Sequence, residues 1–127
     1  MPARSPEEVD RLLIEAINGG DVEAAVSLYE SGGAFAAQPG QVLTGSEAIR
    51  EALKGFVAMK PTFTAEVKTI AVAGDIALTS AKWSMTGTGP DGSPVSLAGE
   101  STEVVRRQPS GDWLFVIDTP WGLEWQQ

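Results

Sequence analysis

The chain has 127 residues, 43% of them apolar, and 17 acidic against 9 basic side chains give it a formal charge of −8. It has no cysteine and no histidine, which removes disulfides, thiol nucleophiles, thiolate and imidazole metal ligands and the commonest general base. The negative balance repels phosphate backbones and anionic lipid, so it argues against nucleic-acid and membrane partners. The length suits one domain over residues 1–127, large enough to bury a core. No run approaches ~20 apolar residues, and Met1–Pro6 is not followed by an apolar stretch long enough for a signal peptide. A cytoplasmic protein is the expectation.

Ser5-Pro6-Glu7-Glu8 reads as a helix start, with Ser5 as cap, Pro6 at the first helical position and Glu8 closing a capping box. Val9, Leu12, Leu13, Ala16 and Ile17 then form one apolar stripe, and Asn18-Gly19-Gly20 ends it. Asp21 caps a second helix over Val22–Glu30, with Val22, Ala25, Val26 and Tyr29 on one side. Ala34–Ala37 reads as a short strand, followed by a turn at Gln38-Pro39-Gly40-Gln41 and a brief return at Val42-Leu43. Thr44-Gly45-Ser46 opens a third helix that runs to Met59, with Ile49, Leu53, Phe56 and Val57 as its apolar face.

From Thr62 the period changes from helical to two. Thr62–Val72 and Ile76–Thr88 are predicted strands joined by a turn at Ala73-Gly74-Asp75. Gly87–Pro94 is a hairpin loop rather than a phosphate loop, because it has neither a lysine nor a following helix. Val95–Gln108 and Trp113–Asp118 complete the set, turned by Pro109–Asp112. On the first of these, Val95, Leu97, Gly99, Ser101, Glu103 and Val105 share one face. Glu103 is therefore a carboxylate on a core-facing row. Helices first and strands afterwards make the fold class α+β, three N-terminal helices packed against a curved antiparallel sheet to close a cone.

Three stretches carry a resemblance. They are Ala16-Ile17-Asn18-Gly19-Gly20-Asp21, Leu43-Thr44-Gly45-Ser46-Glu47-Ala48-Ile49-Arg50, and Gly111-Asp112-Trp113 through Asp118-Thr119-Pro120-Trp121-Gly122. Together with the element order they resemble the nuclear-transport-factor-2-like superfamily, which includes ketosteroid isomerase and the polyketide cyclases. The resemblance implies the cone fold and a homodimer formed through the outer sheet face, with which Ala98 and Val104 are compatible. It also implies site positions. The isomerase's oxyanion-hole tyrosine falls at Leu13, its aspartate base falls in Phe35-Ala36-Ala37-Gln38, which has no carboxylate, and its protonated acid falls near Glu103. Steroid isomerisation by that residue set is not expected.

Glu103 and Asp118 are the catalytic candidates. If their strands pair, two carboxyls meet in an apolar cavity, one holds its proton, and an acid stands beside a base. The plainer alternative pairs Glu103 with Lys82, Arg106 or Arg107. Trp83 and Trp121 are candidates to line the cavity for a small flat apolar ligand, and Trp113 and Trp125 complete four tryptophans that equally suit core packing. Tyr29 is the one tyrosine and Gln38 offers an amide near the helix mouth. Both are ligand-binding candidates. No cofactor or metal is expected. Two functions remain open: carboxylate acid–base catalysis of the isomerase or cyclase type on an apolar carbonyl compound, and a non-catalytic ligand-binding or dimerisation domain.

Overall fold

A computed structural model describes residues 2–38 and 40–122. Trp125 lies outside the described residues. Three helices, α1 (Pro6–Asn18), α2 (Val22–Val26) and α3 (Ser46–Ala58), pack on one face of a six-stranded sheet. The strands are β1 (Tyr29–Gln38), β2 (Gln41–Thr44), β3 (Thr62–Ala73), β4 (Ile76–Thr88), β5 (Pro94–Arg107) and β6 (Trp113–Thr119). Their order across the sheet is β2-β1-β6-β5-β4-β3. The curved sheet does not close on itself, and all neighbours are antiparallel except β1 and β6, which run parallel.

The sequence pattern is reproduced closely from α3 onward. Period-two burial on β4 puts Ala77, Thr79, Ala81, Trp83 and Met85 inward, and on β5 it puts Ser101, Glu103 and Val105 inward. Val9, Leu13, Ala16 and Ile17 of α1 meet Ile49 and Leu53 of α3 and the inner face of the sheet in one core. Each of the larger side chains among them contributes about 1.5–3 kcal/mol by leaving water.

Three local expectations are corrected. The second helix stops at Val26 instead of Glu30, so Tyr29 lies on β1 opposite Phe115 of β6. Burying the ring against Phe115, 4.9 Å between centroids, outweighs continuing the helix toward Ser31-Gly32-Gly33. Gly33 then lies inside the strand, where a Cβ would meet the carbonyl of Glu30 at 3.0 Å and that of Phe115 at 3.3 Å. Finally, Ser5 makes no side-chain cap bond. Glu8 instead reaches back to accept from the amide of Arg4 at 2.6 Å, whereas Asp21 caps α2 as expected by accepting from Ala24 N.

The register of β6 positions the site. Trp113 and Phe115 point inward, and strict alternation would turn Ile117 inward as well. However, Val105 pairs with Phe115 and Val104 with Ile117, which leaves Val116 as an extra residue in a β-bulge. The bulge reverses the two faces beyond it. Ile117 becomes 42% exposed and Asp118 only 3% exposed.

Candidate functional site

Glu103 of β5 and Asp118 of β6 are directly opposed in the ladder and point to the inner face. Glu103 is 1% exposed. Each carboxyl receives one hydroxyl. Thr79, its neighbour on β4, donates to Glu103 Oε1 at 2.9 Å, and Tyr29 on β1 donates to Asp118 Oδ2 at 2.5 Å. The two hydroxyls thus reach the acids from opposite sides of the sheet.

A third acid closes the group. Asp10 of α1 is 5% exposed, and its Oδ2 has no hydrogen-bond partner. Its carboxyl lies within hydrogen-bonding reach of Glu103, so a proton on either one is shared between them. Sequence reasoning missed Asp10. It lies beside the apolar stripe of α1, yet Asp10, Leu13, Ile14 and Ile17 follow helical spacing along the surface that faces the cavity. That spacing was the available signal.

Among the described residues no positive charge offsets these acids. Arg106 is paired with Glu30 and Arg107 with Asp75, while Lys82 is exposed on the opposite face beside Glu100. The plainer alternative for Glu103, an ion pair with one of these, does not occur. Burial disfavours the charged form of each acid. It pushes Glu103 up to about 9, with the charge of Asp10 adding to the effect. Asp118 rises to about 8 through burial and then the charge of Glu103. Asp10 rises to about 7 through burial, held back by its bond to Glu103. The Tyr29 hydroxyl moves well above its ordinary value through burial and the adjacent Asp118. At neutral pH Glu103 and Asp118 carry protons and Asp10 titrates.

The acids end a cavity of about 70 Å³ whose other walls are mostly apolar, room for a few waters or one small ring. Buried Tyr29, Phe35 and Leu53 surround the closed end, and half-buried Phe56, Phe63, Leu97 and Trp121 the open one. Trp83 stands edge-on to Trp121, 5.2 Å between centroids, and 5.5 Å from Phe63. Gly99 opposes Trp83 across the ladder, and a Cβ there would approach the indole to 3.2 Å. Both indole N–H groups donate to backbone: Trp83 to Pro120 O at 2.7 Å and Trp121 to Ala37 O at 3.1 Å. These two bonds hold the segment after β6 across the mouth.

The structure therefore brings Glu103, Asp118, Tyr29, Trp83 and Trp121 to one cavity. It does not bring Gln38 there. Gln38 is exposed as the last residue of β1, paired with Gln41 across the turn to β2, whereas the cavity takes Tyr29 and Phe35 from that strand. Trp113 belongs to the core near the N-terminus, where its amide donates to Ala3 O. Among the described residues no three acidic side chains are grouped to hold a metal ion, and no helix is long and apolar enough to cross a membrane.

A family model for the SnoaL-like domain matches residues 9–114. No curated protein matches the chain. Among solved structures, a ketosteroid isomerase-like protein from Erwinia carotovora atroseptica superposes with a TM-score of 0.77 at 19% identity, covering 89% of each chain. An NTF2-like protein with a cystatin-like fold from Novosphingobium aromaticivorans gives a TM-score of 0.70 at 21% identity, over 89% of this chain and 76% of that one. SalBIII, an epoxide hydrolase/cyclase-like enzyme in pyran ring formation in the polyether salinomycin, gives 0.66 at 22% identity, over 91% and 89%. At these identities the likeness establishes the fold.

Proposed function

This chain belongs to the SnoaL-like family, and from that premise we propose that it binds a small apolar carbonyl compound and moves protons on it with Glu103 and Asp118. The observation that carries the reading is the opposed pair itself: two hydroxyl-anchored carboxyls, without a counter-ion, at the dry end of an aromatic-walled cavity. Groups held so differently from water are suited to acid–base work near neutral pH. In the reaction Asp118, raised less than Glu103 and so the more readily ionised of the two, acts from its carboxylate form and takes the proton from the carbon beside the carbonyl. The C–H electron pair forms the new C=C bond, and the carbonyl pair moves onto oxygen. The neighbouring protonated carboxyl donates to that oxygen. Return of the proton to another carbon gives an isomer, and attack of the enol carbon on a second carbonyl gives a ring. Trp83, Trp121 and Tyr29 hold the apolar body of the ligand, and Tyr29 also fixes Asp118. The chemistry in the printed names of fold relatives, isomerase-like and cyclase-like, is of this kind.

Glu103→Gln tests it. Exchange of the α-hydrogens of cyclohexanone with D2O, followed by NMR, should slow by about a hundredfold or more in the variant with its circular dichroism unchanged. A shift in melting temperature with no loss of exchange would make Glu103 a structural acid.

One observation favours assembly as a second role, alone or beside catalysis. Leu78, Val104 and Ile117 lie in one row on the outer face of β4, β5 and β6, with Leu78 36% and Ile117 42% exposed. We read this face as pairing with a second copy. Light scattering at micromolar concentration should give a dimer, and Ile117→Lys should weaken association by about tenfold or more while leaving the fold intact. A wild-type monomer overturns this assignment.

A further inference from the structure

The inner acids also define a ligand by their charge. Asp10 lies within hydrogen-bonding reach of Glu103, and Glu103 stands opposite Asp118 in the ladder, all three lining the cavity. All five arginines form ion pairs elsewhere: Arg4, Arg11, Arg50, Arg106 and Arg107 with Asp112, Glu7, Glu23, Glu30 and Asp75 respectively. The four lysines are exposed. Among the described residues the cluster thus lacks a cation, and apart from the proton Asp10 shares with Glu103 no donor reaches Asp10, whose Oδ2 is buried without a hydrogen-bond partner at the cavity. A buried acceptor without a donor is unfavourable, more so when charged, unless a bound molecule supplies one.

We propose that this end of the cavity binds the ammonium group of a small apolar amine, with Asp10 as its anchor. An ammonium has three donors and no acceptor, the complement of an unpaired carboxylate oxygen beside two further carboxyls. The walls fit the rest of such a molecule. Aromatic faces attract a cation and shed water from its hydrocarbon body. A metal ion fits less well, because its oxygens must gather at about 2.0–2.6 Å and no three acids among the described residues do so. The net charge of −8 draws cations toward the protein. This ligand class goes beyond the carbonyl reading and stands without it, since here the carboxyls act as counter-charge and not as proton carriers.

Binding has a proton signature. The groups that face the ammonium are Asp10 from α1, Tyr29 from β1, Glu103 from β5 and Asp118 from β6. Glu103 and Asp118 hold protons at pH 7 in the empty site, and an arriving positive charge favours their ionised forms. The amine therefore enters with release of a proton to solvent.

The test compares cyclohexylamine with cyclohexanol, the same ring without the charge. Isothermal titration at pH 7 in phosphate and in Tris reads affinity and proton release together, and tryptophan fluorescence gives an independent titration through Trp83 and Trp121. The amine should bind at least about tenfold tighter than the alcohol, with proton release. Asp10→Asn should remove that advantage. Should Asp10→Asn not fold, Glu103→Gln serves, and it should abolish at least part of the proton release. Equal affinity of the two ligands, no saturable amine binding, or an amine advantage that survives Asp10→Asn overturns the proposal. Cyclohexylamine has no carbonyl, so these readouts are independent of turnover. Loss of cyclohexanone exchange in Glu103→Gln without amine binding would sink this inference and leave the catalytic reading standing.

Discussion

Two adjacent rows of the same sheet are filled in opposite senses. On the inner face, Thr79, Glu103 and Asp118 stand side by side across β4, β5 and β6. One residue away along each strand, on the outer face, stand Leu78, Val104 and Ile117. The row in the dry interior carries two carboxyls and the row toward water carries three aliphatic side chains. Folding alone would favour the reverse, because burying apolar groups stabilises and burying unpaired acids costs. On β6 the single bulge residue Val116 makes the inversion. The inversion leaves two surfaces that folding does not explain, which is what the proposed ligand inside the cone and the proposed second copy outside it would account for.

The sharpest way to expose the cost of the inner row is Asp10→Asn. In the folded protein Asp10 is raised from 3.8 to about 7 by burial. Its neutral form is the one the fold favours. Its contribution is therefore complete below about pH 4 and is lost as pH rises through 7, a change of about 4 kcal/mol by linkage. The wild type should lose stability in urea from pH 5 to pH 8, and Glu103 and Asp118, raised to about 9 and about 8, extend the loss upward. Asp10→Asn removes the first part of that loss. The variant should match the wild type near pH 4 and exceed it at pH 8 by up to about 4 kcal/mol. Parallel stability curves across that range would mean that Asp10 is hydrated in solution.

Thr79→Val attacks the same row from its β4 end. Thr79 is fully buried and its hydroxyl serves Glu103. Valine keeps the shape and removes the donor, at a cost of about 1–3 kcal/mol. Glu103 should titrate above about 9, because the lost bond had favoured its carboxylate. A carboxyl NMR titration reads the shift directly. An unmoved Glu103 would show that the hydroxyl does not point at it.

How much of this was legible in the sequence differs by residue. The strands from Thr62 to Asp118 and the inward face of Glu103 follow from alternation, which tertiary packing left intact on β4 and β5. The inward turn of Asp118 does not. Trp113 and Phe115 set a rhythm that points Asp118 outward, and only the pairing of β6 with β5 creates the bulge that reverses it. Pairing between its strands put Asp118 forward, and the face it occupies depends on a bulge that period-two reading cannot see. Tyr29 carried a helical expectation because Val22, Ala25 and Val26 precede it at helical spacing, and its strand pairing with Phe115 is a contact across 86 residues of chain. Asp10 was not legible in the sequence, since a charge flanking an apolar stripe is usually on the wet side of a helix. Here α1 is covered by the sheet on that side as well. Gln38 offered an amide at a turn near a helix, and it lies outside the cavity because β1 runs three residues past Phe35 before turning into β2.

The smallest effect separates the two anchored acids. Tyr29→Phe removes the 2.5 Å bond to Asp118 and leaves the ring packed on Phe115 and Phe35. The cost should be about 1 kcal/mol at pH 5, where Asp118 is neutral in both proteins. Asp118 should move above about 8, because the tyrosine hydroxyl had favoured its charged form. A group whose folded value rises further above its unfolded one loses more stability as pH climbs. The deficit of Tyr29→Phe should therefore grow between pH 7 and pH 9. Asp10→Asn changes in the opposite direction over rising pH, gaining on the wild type where Tyr29→Phe falls behind. Opposite slopes follow only if one substitution deletes a desolvated charge and the other strips a remaining charge of its donor. Slopes of the same sign would mean that the acids do not share one dry site, and both the proton-transfer reading and the amine site would lose their common ground.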